Sequence, residues 1–504
     1  MDCNYDGYND SEIIIGLVGA VGIDLNQVFN KLKDKFGSFS YETKLIKISE
    51  DIISAFDKST VVIKDNHDRI DYLMSQGNLL RSKSEDNAFM AKASAAKISI
   101  IRNIIKKGDE PLGRTAFVIS SLKTPEEVNE LRKIYSEGFY LIGVYSSEDS
   151  RLKYLTKTKN INDKAASSLM ERDKDESNKY GQKTRDTYHL SDFFINYDGD
   201  TNKLTNDIWR IIDLIFGHPF ITPTFDEYAM YMAFSASLRS ADLSRQVGAV
   251  VTNNNQILST GANDVPTYGG GLYWPEYNKD FTEIEDVPNG RDYKKGYDSN
   301  KEEQRIIIDS IVSDLESDSE IKLSRSQVEN IKEKLKVSKI KDITEYGRVV
   351  HAEMEAILSC ARNNISTKDS VLYCTTFPCH NCAKHIVASG INKVLYIEPY
   401  PKSKATEFHQ DSIELLDSGE KQELHEQSKV IFKPFVGVGP KSFFKLFSIN
   451  IGGGNVIKRK DKSGKIVKFN PESARIKTVM LPSSYIERER YAVSQLFDMM
   501  EKIK

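Results

Sequence analysis

Two short motifs place three potential metal ligands and one carboxylate close together in the last third of the chain. The first is H-A-E at residues 351–353, and the second is P-C-H-N-C at residues 378–382. One histidine and two cysteines are the three protein ligands that a catalytic zinc can use, with a fourth position left open for water. A fold that carries this chemistry must bring His351, Cys379 and Cys382 around one point. This requirement constrains the chain more than its composition does.

The local sequence indicates how the second motif presents its cysteines. Residues 370–375 have the pattern of a strand, and Pro378 favours the start of a helix. Cys379 and Cys382 then lie in the first helical turn, where the helix macrodipole stabilises thiolates. The pattern therefore predicts that the metal is bound at a helix start.

Glu353 is predicted to move protons rather than to bind the metal. It lies at a helix start two residues from His351, too close in sequence for a comfortable fourth ligand. A carboxylate beside an activated water can take up a proton and deliver it to the leaving group. The alternative is a structural zinc site closed by a fourth ligand, for which the candidates are His380, His385, Cys360 and Cys374. Cys360 and Cys374 are better interpreted as small buried hydrophobic residues.

Charge and apolar content exclude several classes of protein. Hydrophobic residues make up 39% of the chain and charged residues 28%, which is typical of a soluble globular protein. The net charge of −3 and the pI of about 6.3 provide no global basic field for a polyanion. The longest apolar run, residues 13–23, is too short to span a bilayer, so we expect a cytoplasmic protein with no membrane partner. The cysteines are few and clustered, which favours metal binding or catalysis over disulfides.

The first half of the chain has the alternating pattern of a parallel α/β sheet. Predicted strands at 12–18, 115–120 and 139–145 alternate with segments of helical periodicity. A proline-containing segment at 218–223 then has the composition of a linker. The predicted segments are a first domain at 1–217, a linker at 218–225, and a second domain at 226–504 with a helical insertion at 275–345.

Two segments of the chain are rich in charged residues. The insertion contains an amphipathic helix for which we predict an apolar stripe of Ile307, Ile311 and Leu315. Residues 157–187 are rich in charge and poor in large apolar side chains, which predicts either a mobile lid or a solvated helix.

The sequence around the metal ligands resembles that of the deoxycytidylate (dCMP) deaminases. The similarity runs from about residue 226 to residue 447 and includes the segments L-S-R-Q-V-G-A-V at 243–250, G-A-N at 261–263, H-A-E at 351–353 and T-T-F-P-C-H-N-C at 375–382. It implies a three-layer α/β/α domain of the cytidine deaminase type with a zinc cofactor. In such enzymes the motif pair holds the zinc and a glutamate that transfers protons.

The same resemblance implies roles for further residues. Asn263 would contact the sugar hydroxyl, and Ala352 would hold the base through its backbone. Arg245 is the main candidate for binding phosphate, with Arg239 and Lys402 as further candidates. A homo-oligomer is expected, because nucleotide deaminases of this type generally assemble.

Over its whole length the chain is similar to the two-domain bacterial anti-phage dCTP deaminases, in which a P-loop-like domain precedes the deaminase. That resemblance implies conversion of dCTP and dCMP to uracil nucleotides, which depletes a precursor that a replicating phage needs. It also implies a regulatory N-terminal sheet of the P-loop nucleotide-kinase type, with a regulatory nucleotide or an inhibitory RNA as its ligand. The alternatives are a deaminase of RNA or single-stranded DNA, and a non-catalytic nucleotide sensor.

The glycine loop of the first half lacks the residues that phosphoryl transfer needs. Leu25 and Asn26 stand where a working P-loop has lysine and serine or threonine, and Asp24 would repel phosphate. The backbone amides of the loop could still hold an anion at a helix start. We therefore predict either anion binding without phosphoryl transfer or a purely structural turn. The loop residues are Gly19, Ala20, Val21 and Gly22.

Overall fold

The computed structural model describes most of the chain. The described residues are 10–57, 63–108, 110–174, 176, 178–318, 320–397, 403–416, 429–449, 457–478 and 482–503. Within them the strands form two six-stranded sheets and one two-stranded ribbon. The fold is therefore a mixed α/β architecture.

The elements are numbered in chain order. The strands are β1 Ile13–Gly19, β2 Glu42–Lys47, β3 Thr115–Ser120, β4 Phe139–Tyr145, β5 Phe193–Asn196, β6 Gly248–Asn253, β7 Gln256–Ala262, β8 Glu276–Tyr277, β9 Ile284–Glu285, β10 Val371–Cys374, β11 Lys393–Tyr396, β12 Ile413–Leu415, β13 Val430–Pro434 and β14 Gly437–Val438. The first nine α-helices are α1 Leu25–Ser38, α2 Ser54–Phe56, α3 Asn66–Ser84, α4 Phe89–Lys106, α5 Pro125–Tyr135, α6 Glu148–Lys153, α7 Asp163–Lys174, α8 Thr184–Tyr188 and α9 Thr201–Ile215. The later ones are α10 Phe225–Ser237, α11 Asp292–Lys295, α12 Ser299–Ser317, α13 Arg325–Val337, α14 Ala352–Arg362, α15 His380–Ala388, α16 Ala405–Phe408, α17 Pro440–Phe447 and α18 Pro482–Ile503. Short π-helical segments are Ile48–Ile53 and Tyr154–Thr158, and short 3-10 segments are Ser136–Gly138, Lys339–Asp342 and Pro471–Ser473.

The first sheet has the strand order β14-β5-β4-β1-β3-β2. The five strands from the first half of the chain are parallel to one another, as the alternating pattern predicts. The central strand β1 is buried along its whole length, which explains why it reads as a continuous apolar run. The predicted strands at 115–120 and 139–145 match β3 and β4.

The second sheet has the order β12-β13-β11-β10-β6-β7 and is covered by helices on both faces. A Cβ atom added to Gly248 of β6 would lie 1.8 Å from the Ala233 carbonyl oxygen of α10, and one added to Gly261 of β7 would lie 2.1 Å from the Ala352 carbonyl oxygen of α14. Gly261 pairs with Ala249, the residue after Gly248, so the two glycines face opposite sides of the sheet. This part of the chain is therefore an α/β/α sandwich in which glycines permit close helix approach.

The end of the chain returns to the first sheet. β14 pairs antiparallel with β5, and α18 packs against α3, α4 and α5. Residues within the range predicted as the second domain thus lie against the first sheet. The boundary predicted at 218–225 stays a prediction.

The insertion is helical, but its predicted apolar stripe is wrong. The buried residues of α12 are Gln304, Ile308 and Val312, whereas Ile311 is exposed. Ile307 and Leu315 are half-buried, so the helix carries apolar side chains on more than one face. It packs against α13. The adjacent ribbon of β8 and β9 is exposed.

The charged segment at 157–187 forms helices with a small core of their own. In α7 the residues Ala166, Leu169 and Met170 are buried in a cluster with Met74 and Leu155. The alternative of a fully solvated helix is therefore wrong. Among the helices described, none is long and apolar enough to cross a membrane.

A buried cluster of charged side chains connects helix α18 to the first sheet. The Arg102 guanidinium of α4 donates to Glu12 at 2.8 Å and to Glu489 of α18 at 2.7 Å. The hydroxyl groups of Tyr485 and Tyr135 donate to the same two carboxylates. All three charged side chains are almost completely buried. Burial raises the pKa of Glu489 to about 7 in spite of its contact with Arg102.

We expect Arg102→Met to lower the free energy of unfolding by about 3–5 kcal/mol, because it leaves two buried carboxylates without their cation. Chemical denaturation of the purified protein measures this change. Arg114→Met is the matched control, since Arg114 pairs with Asp10 at 3.1 Å on an exposed surface and should lose less than about 1 kcal/mol. Equal losses in the two variants would contradict the role given to the cluster.

Candidate metal centre and active site

Two helix starts bring the predicted metal ligands together at one edge of the second sheet. Because β6 is antiparallel to both neighbours, β7 and β10 point in the same direction and end at the same edge. Asp264, just after β7, pairs with Val350 and so places His351 at the start of α14. Cys379, which follows β10, caps the start of α15 and accepts a hydrogen bond from the Cys382 backbone amide at 3.4 Å.

The three predicted ligands form one compact group. His351 Nδ1 lies 3.3 Å from Cys382 Sγ and 3.4 Å from Cys379 Sγ, and all three donor atoms lie within 4.8 Å of one another. Tetrahedral zinc with ordinary bond lengths separates a sulfur and a nitrogen ligand by roughly 3.5 Å. The donors therefore fit zinc in kind, number and spacing.

The alternative of a closed structural site receives no support within the described residues. None of the four candidate fourth ligands, His380, His385, Cys360 and Cys374, belongs to the group of donor atoms. Cys360 and Cys374 are buried free thiols, as predicted. Among the residues that the structure describes, the donor set supplies three protein ligands, the number that a catalytic zinc centre uses.

The proton distribution at the donors favours metal capture. Hydrogen bonds from Cys382 and His351 lower the pKa of Cys379 to about 3, so this side chain is a thiolate at neutral pH. The Cys382 thiol, which makes the hydrogen bond to Cys379, has a pKa well above its usual value. Binding of zinc as a dithiolate would therefore release one proton from Cys382.

Glu353 lies beside the donor group inside the protein. Its residue surface is 3% exposed. Burial, followed by the charge of Cys379, raises the pKa of its carboxyl group above the usual value for glutamate. A carboxyl group in this setting can hold a proton closer to neutral pH than a surface glutamate can.

A cavity of about 1200 Å³ opens at the metal centre, with Cys379 and His380 in its wall. Segments far apart in sequence contribute to this wall. Its described lysines and arginines are Arg185 from the first half of the chain, Lys341 from the insertion, Arg245 and Lys404 from the second sheet region, and Lys441 from α17. The carboxylates Asp186 and Asp342 also line it, so cations outnumber anions. The cavity suits an anionic ligand.

Arg245, Ala352 and Asn263, which the sequence predicts to bind substrate, differ in their location and burial. Arg245 is exposed and lines the cavity. The hydrogen bond to Cys379 raises the pKa of His351, and the charge of Arg245 opposes this rise. Ala352 is buried in the first turn of α14. The Asn263 side chain is buried and bridges the Arg245 carbonyl oxygen at 2.8 Å and the Val247 amide nitrogen at 2.7 Å, so it fixes the backbone that carries Arg245.

Arg239 and Lys402 have less support as phosphate ligands. The Arg239 guanidinium stacks on Trp274, 3.5 Å from the ring centroid, and donates to the Tyr273 carbonyl oxygen. Arg239 is not among the described residues that line the cavity. Lys402 lies outside the described residues. Both roles remain predictions.

Sequence reasoning missed the contribution of the first half of the chain to this cavity. Arg185, Asp186 and His189 lie on or next to α8, within or just after the segment predicted as a lid or a solvated helix. Lys441 lies in α17, directly after β14 has joined the first sheet. The high density of charged residues at 157–187 was visible in the sequence. Nothing in the spacing of the motifs indicated that this segment lies close to the metal ligands.

The predicted glycine loop lines a second cavity of about 280 Å³ beside the first sheet. Gly19, Ala20, Val21 and Gly22 all contribute to its wall, together with Asp24. Helix α1 begins only at Leu25, after a turn in which the Ile23 amide donates to the Ala20 carbonyl oxygen.

Comparison with known proteins assigns the family. Residues 223–398 match the family model of the cytidine and deoxycytidylate deaminase zinc-binding region. The deoxycytidylate deaminase of Enterobacteria phage T4 is 30% identical over 175 residues, which cover 35% of this chain and 78% of that protein. The deoxycytidylate deaminase of Enterobacteria phage T2 is 32% identical over 178 residues, which cover 35% of this chain and 80% of that protein. This chain belongs to the deoxycytidylate deaminase family.

The matched region contains the donor group, so the prediction of a zinc cofactor is confirmed. Among solved structures, the dCMP deaminase from the cyanophage S-TIM5 in apo form resembles 42% of this chain and 99% of its own length, with 18% sequence identity and a TM-score of 0.22.

We expect the purified protein to carry about one zinc per chain and Cys379→Ser to lose at least tenfold in zinc affinity, because serine is a poor ligand in place of a thiolate. Metal analysis after dialysis against a graded series of chelator concentrations measures this. Cys360→Ser is the matched control, since that thiol contacts Ser259 at 3.1 Å and lies outside the donor group. Unchanged zinc affinity in Cys379→Ser would remove Cys379 from the metal site.

Proposed function

We propose that this protein is a zinc-dependent hydrolase that deaminates deoxycytidine nucleotides, dCTP, dCMP or both, to the uracil nucleotides in the cytoplasm. The observation that carries the proposal is the donor group of His351, Cys379 and Cys382 with the buried carboxyl group of Glu353 beside it. Family membership supports the same reaction class.

The reaction replaces the exocyclic amine of cytosine by oxygen. When bound, zinc supplies a water that is acidic enough to attack at neutral pH. Glu353 would take one proton from that water and pass it to the ring nitrogen N3 as the oxygen adds to C4. It would then pass the second proton, from the new hydroxyl group, to the amine, which leaves as ammonia. The raised pKa of Glu353 suits this role, because a proton carrier works best when its pKa lies near the operating pH.

The substrate contacts are proposed from the residues that the family resemblance assigns, of which Arg245 lines the cavity. Ala352 at the helix start presents backbone to the base, and Arg245 binds the phosphate nearest the sugar. Asn263 supports both contacts, because it holds the Arg245 backbone and its amide still has capacity for a sugar hydroxyl. Arg239 and Lys402 are secondary phosphate candidates.

For the first half of the chain we propose a P-loop nucleotide-kinase-like regulatory domain over 1–217, joined at 218–225 to a deaminase domain over 226–504. Its ligand would be a regulatory nucleotide or an inhibitory RNA. Because a deaminase that depletes dCTP harms its host when always active, such control fits a role in anti-phage defence. We expect no consumption of ATP, because Leu25 and Asn26 supply neither the cation nor the magnesium ligand of a kinase. The assembly is proposed to be a homo-oligomer.

A polynucleotide deaminase needs exposed aromatic platforms for neighbouring bases. The described aromatic residues in the wall of the cavity are Phe194, Phe234 and Phe377, and Phe194 and Phe377 are buried. Free nucleotides are therefore the better match to this wall. A non-catalytic sensor would have no use for the buried glutamate beside the zinc ligands.

A substrate panel tests the proposal. Purified zinc-loaded protein is incubated with CMP, dCMP, CTP, dCTP and cytosine-containing oligonucleotides, and uracil products are measured by chromatography. We expect turnover of deoxynucleotides above ribonucleotides and none with oligonucleotides. Glu353→Ala should abolish turnover while the zinc content is retained, because the glutamate carries protons and does not bind the metal. Loss of zinc in this variant, or near-normal turnover, would contradict the assigned role.

We expect Arg245→Ala to lower kcat/KM for nucleotides by about 10- to 100-fold, since a charge-assisted hydrogen bond contributes about 1.5–3 kcal/mol. The loss on deoxycytidine itself should be much smaller, because the nucleoside has no phosphate. Arg245→Lys should recover part of the activity. Arg305→Ala serves as the control, since Arg305 pairs with Glu302 on an exposed helix of the insertion. Equal losses on nucleoside and nucleotides would exclude a phosphate contact.

A further inference from the structure

A buried carboxylate occupies the anion-binding position of the glycine loop. The backbone amide of Val21 donates to Asp173 Oδ2 at 2.7 Å. The Lys123 ammonium group donates to Asp173 Oδ1 at 2.7 Å and to the Gly19 carbonyl oxygen at 2.9 Å. The Asp173 side chain is 0% exposed and that of Lys123 is 14% exposed. The loop is thus held by an internal anion and an internal cation.

The start of α1 is also occupied by an internal carboxylate. Asp24 caps the helix and accepts a hydrogen bond from the Asn26 amide at 3.1 Å. In glycine loops that bind phosphate, loop amides and the following helix start both point at the ligand. Here carboxylates of the protein, Asp173 and Asp24, fill these two positions. Lys123 lines the second cavity, whereas Asp173 lines a smaller cavity of about 50 Å³ that shares Ala20 with it. A phosphate in the second cavity can therefore reach the Val21 amide only after Asp173 has moved.

Asp173 also connects the loop to the wall of the catalytic cavity. The Thr184 hydroxyl donates to Asp173 Oδ1 at 3.2 Å, and the Lys183 amide donates to the Lys123 carbonyl oxygen at 2.9 Å. Residues 183 and 184 are therefore attached to both members of the ion pair. Thr184 is the first residue of α8, and the next residue, Arg185, lines the cavity at the metal centre.

The cavity beside the loop has room for part of an organic phosphate. Its wall combines apolar side chains such as Ile70 and Leu73 with cations such as Arg69 and Lys159. Apolar walls suit a base or another flat body, whereas Lys123 is the cation nearest the loop amides that a phosphate would use. Phosphate must break the internal ion pair to enter. Entry is therefore favourable only when the interaction free energy that the ligand gains exceeds the free energy lost on displacing the Asp173 carboxylate.

We propose that Asp173 is a displaceable internal anion that keeps the glycine loop closed, and that a phosphate-bearing ligand of the second cavity replaces it at Val21 and Lys123. Displacement breaks the contact between Asp173 and Thr184 and so changes the position of Arg185 in the catalytic cavity. The loop and the metal centre are then coupled through one side chain. The chemical class of the ligand is an organic phosphate, and its effect on the catalytic cavity does not depend on the reaction performed there.

The test uses full-length zinc-loaded protein and inorganic phosphate as the probe. Hydrogen–deuterium exchange is followed in peptides that cover residues 19–26 and 183–191, without phosphate and over a phosphate titration. Asp173→Asn keeps the size of the side chain but removes the charge. In this variant we expect at least tenfold faster exchange of the Val21-containing peptide without phosphate, because its amide loses a charged acceptor. Phosphate should restore protection at a concentration at least tenfold lower than in the native protein.

The 183–191 peptide tests the coupling to the catalytic cavity, and two further variants serve as controls. The 183–191 peptide should change its exchange together with the 19–26 peptide. Glu171→Gln is the matched control, since Glu171 lies on the same helix with an 80% exposed side chain, and should behave as the native protein does. Asp173→Asn alone leaves the Lys123 ammonium group without its buried partner, which can prevent folding. Asp173→Asn combined with Lys123→Gln removes both charges and so avoids this problem. In this double variant the 19–26 peptide should exchange fast with or without phosphate.

Three outcomes would overturn the proposal. They are native-like exchange of the 19–26 peptide in Asp173→Asn, an unchanged phosphate requirement in that variant, and protection by phosphate in the double variant. Unchanged exchange of the 183–191 peptide would overturn the coupling to the catalytic cavity. Because the readout is amide exchange, it is independent of whether the substrate panel supports the deaminase reaction.

Discussion

The buried carboxylate of Glu227 connects the two sheets, and the shape of the catalytic cavity depends on this connection. Glu227 belongs to α10, which packs on the second sheet through Gly248. Its oxygens accept two hydrogen bonds from Arg210 of α9, at 2.6 and 2.7 Å, and one from the Val438 amide of β14 at 2.8 Å. A carboxylate with no exposed surface must keep such partners, because an unpaired buried charge is strongly destabilising. The relative position of the two sheets is therefore defined by charge pairing as well as by apolar packing.

This arrangement explains why a small set of metal ligands can serve a large cavity. The zinc ligands need only two helix starts at one sheet edge, and the second sheet supplies both. Arg245 and Lys404 of the second sheet region line the cavity beside them, and further cations come from the insertion, from α8 and from α17. Charge recognition is thus built partly by segments that do not hold the metal. Substitution of Arg185 or Lys441 can therefore change how the cavity binds an anion without disturbing the ligands of the metal.

The sequence predicted the metal centre well because its determinants are local. A histidine and a glutamate two residues apart, and two cysteines in one helical turn, can surround a metal in only a few arrangements.

Strands β1, β3 and β4 were predictable because they are continuous buried apolar runs. Strand β2 was missed because only Ile46 of its six residues is fully buried, and its charged side chains lie along an edge. Helix α3 was missed because it buries Arg81 and Ser84 beside apolar residues, so it lacks a clear stripe. The return of β14 to the first sheet involves two residues and has no sequence signal, and the Asp173 contacts join residues far apart in the chain.

The return of the chain to the first sheet has a consequence for biosynthesis. Strand β5 and helix α9 are made long before β14 and α18, and everything that forms the second sheet is made between them. On a ribosome this interval lasts on the order of tens of seconds. During that time the edge of β5 is unpaired and Glu12 and Arg102 lack Glu489, and the zinc ligands are made before β14 and α18. The later-made sheet can thus finish folding first, and completion of the earlier-made sheet must wait for the last helix to leave the ribosome.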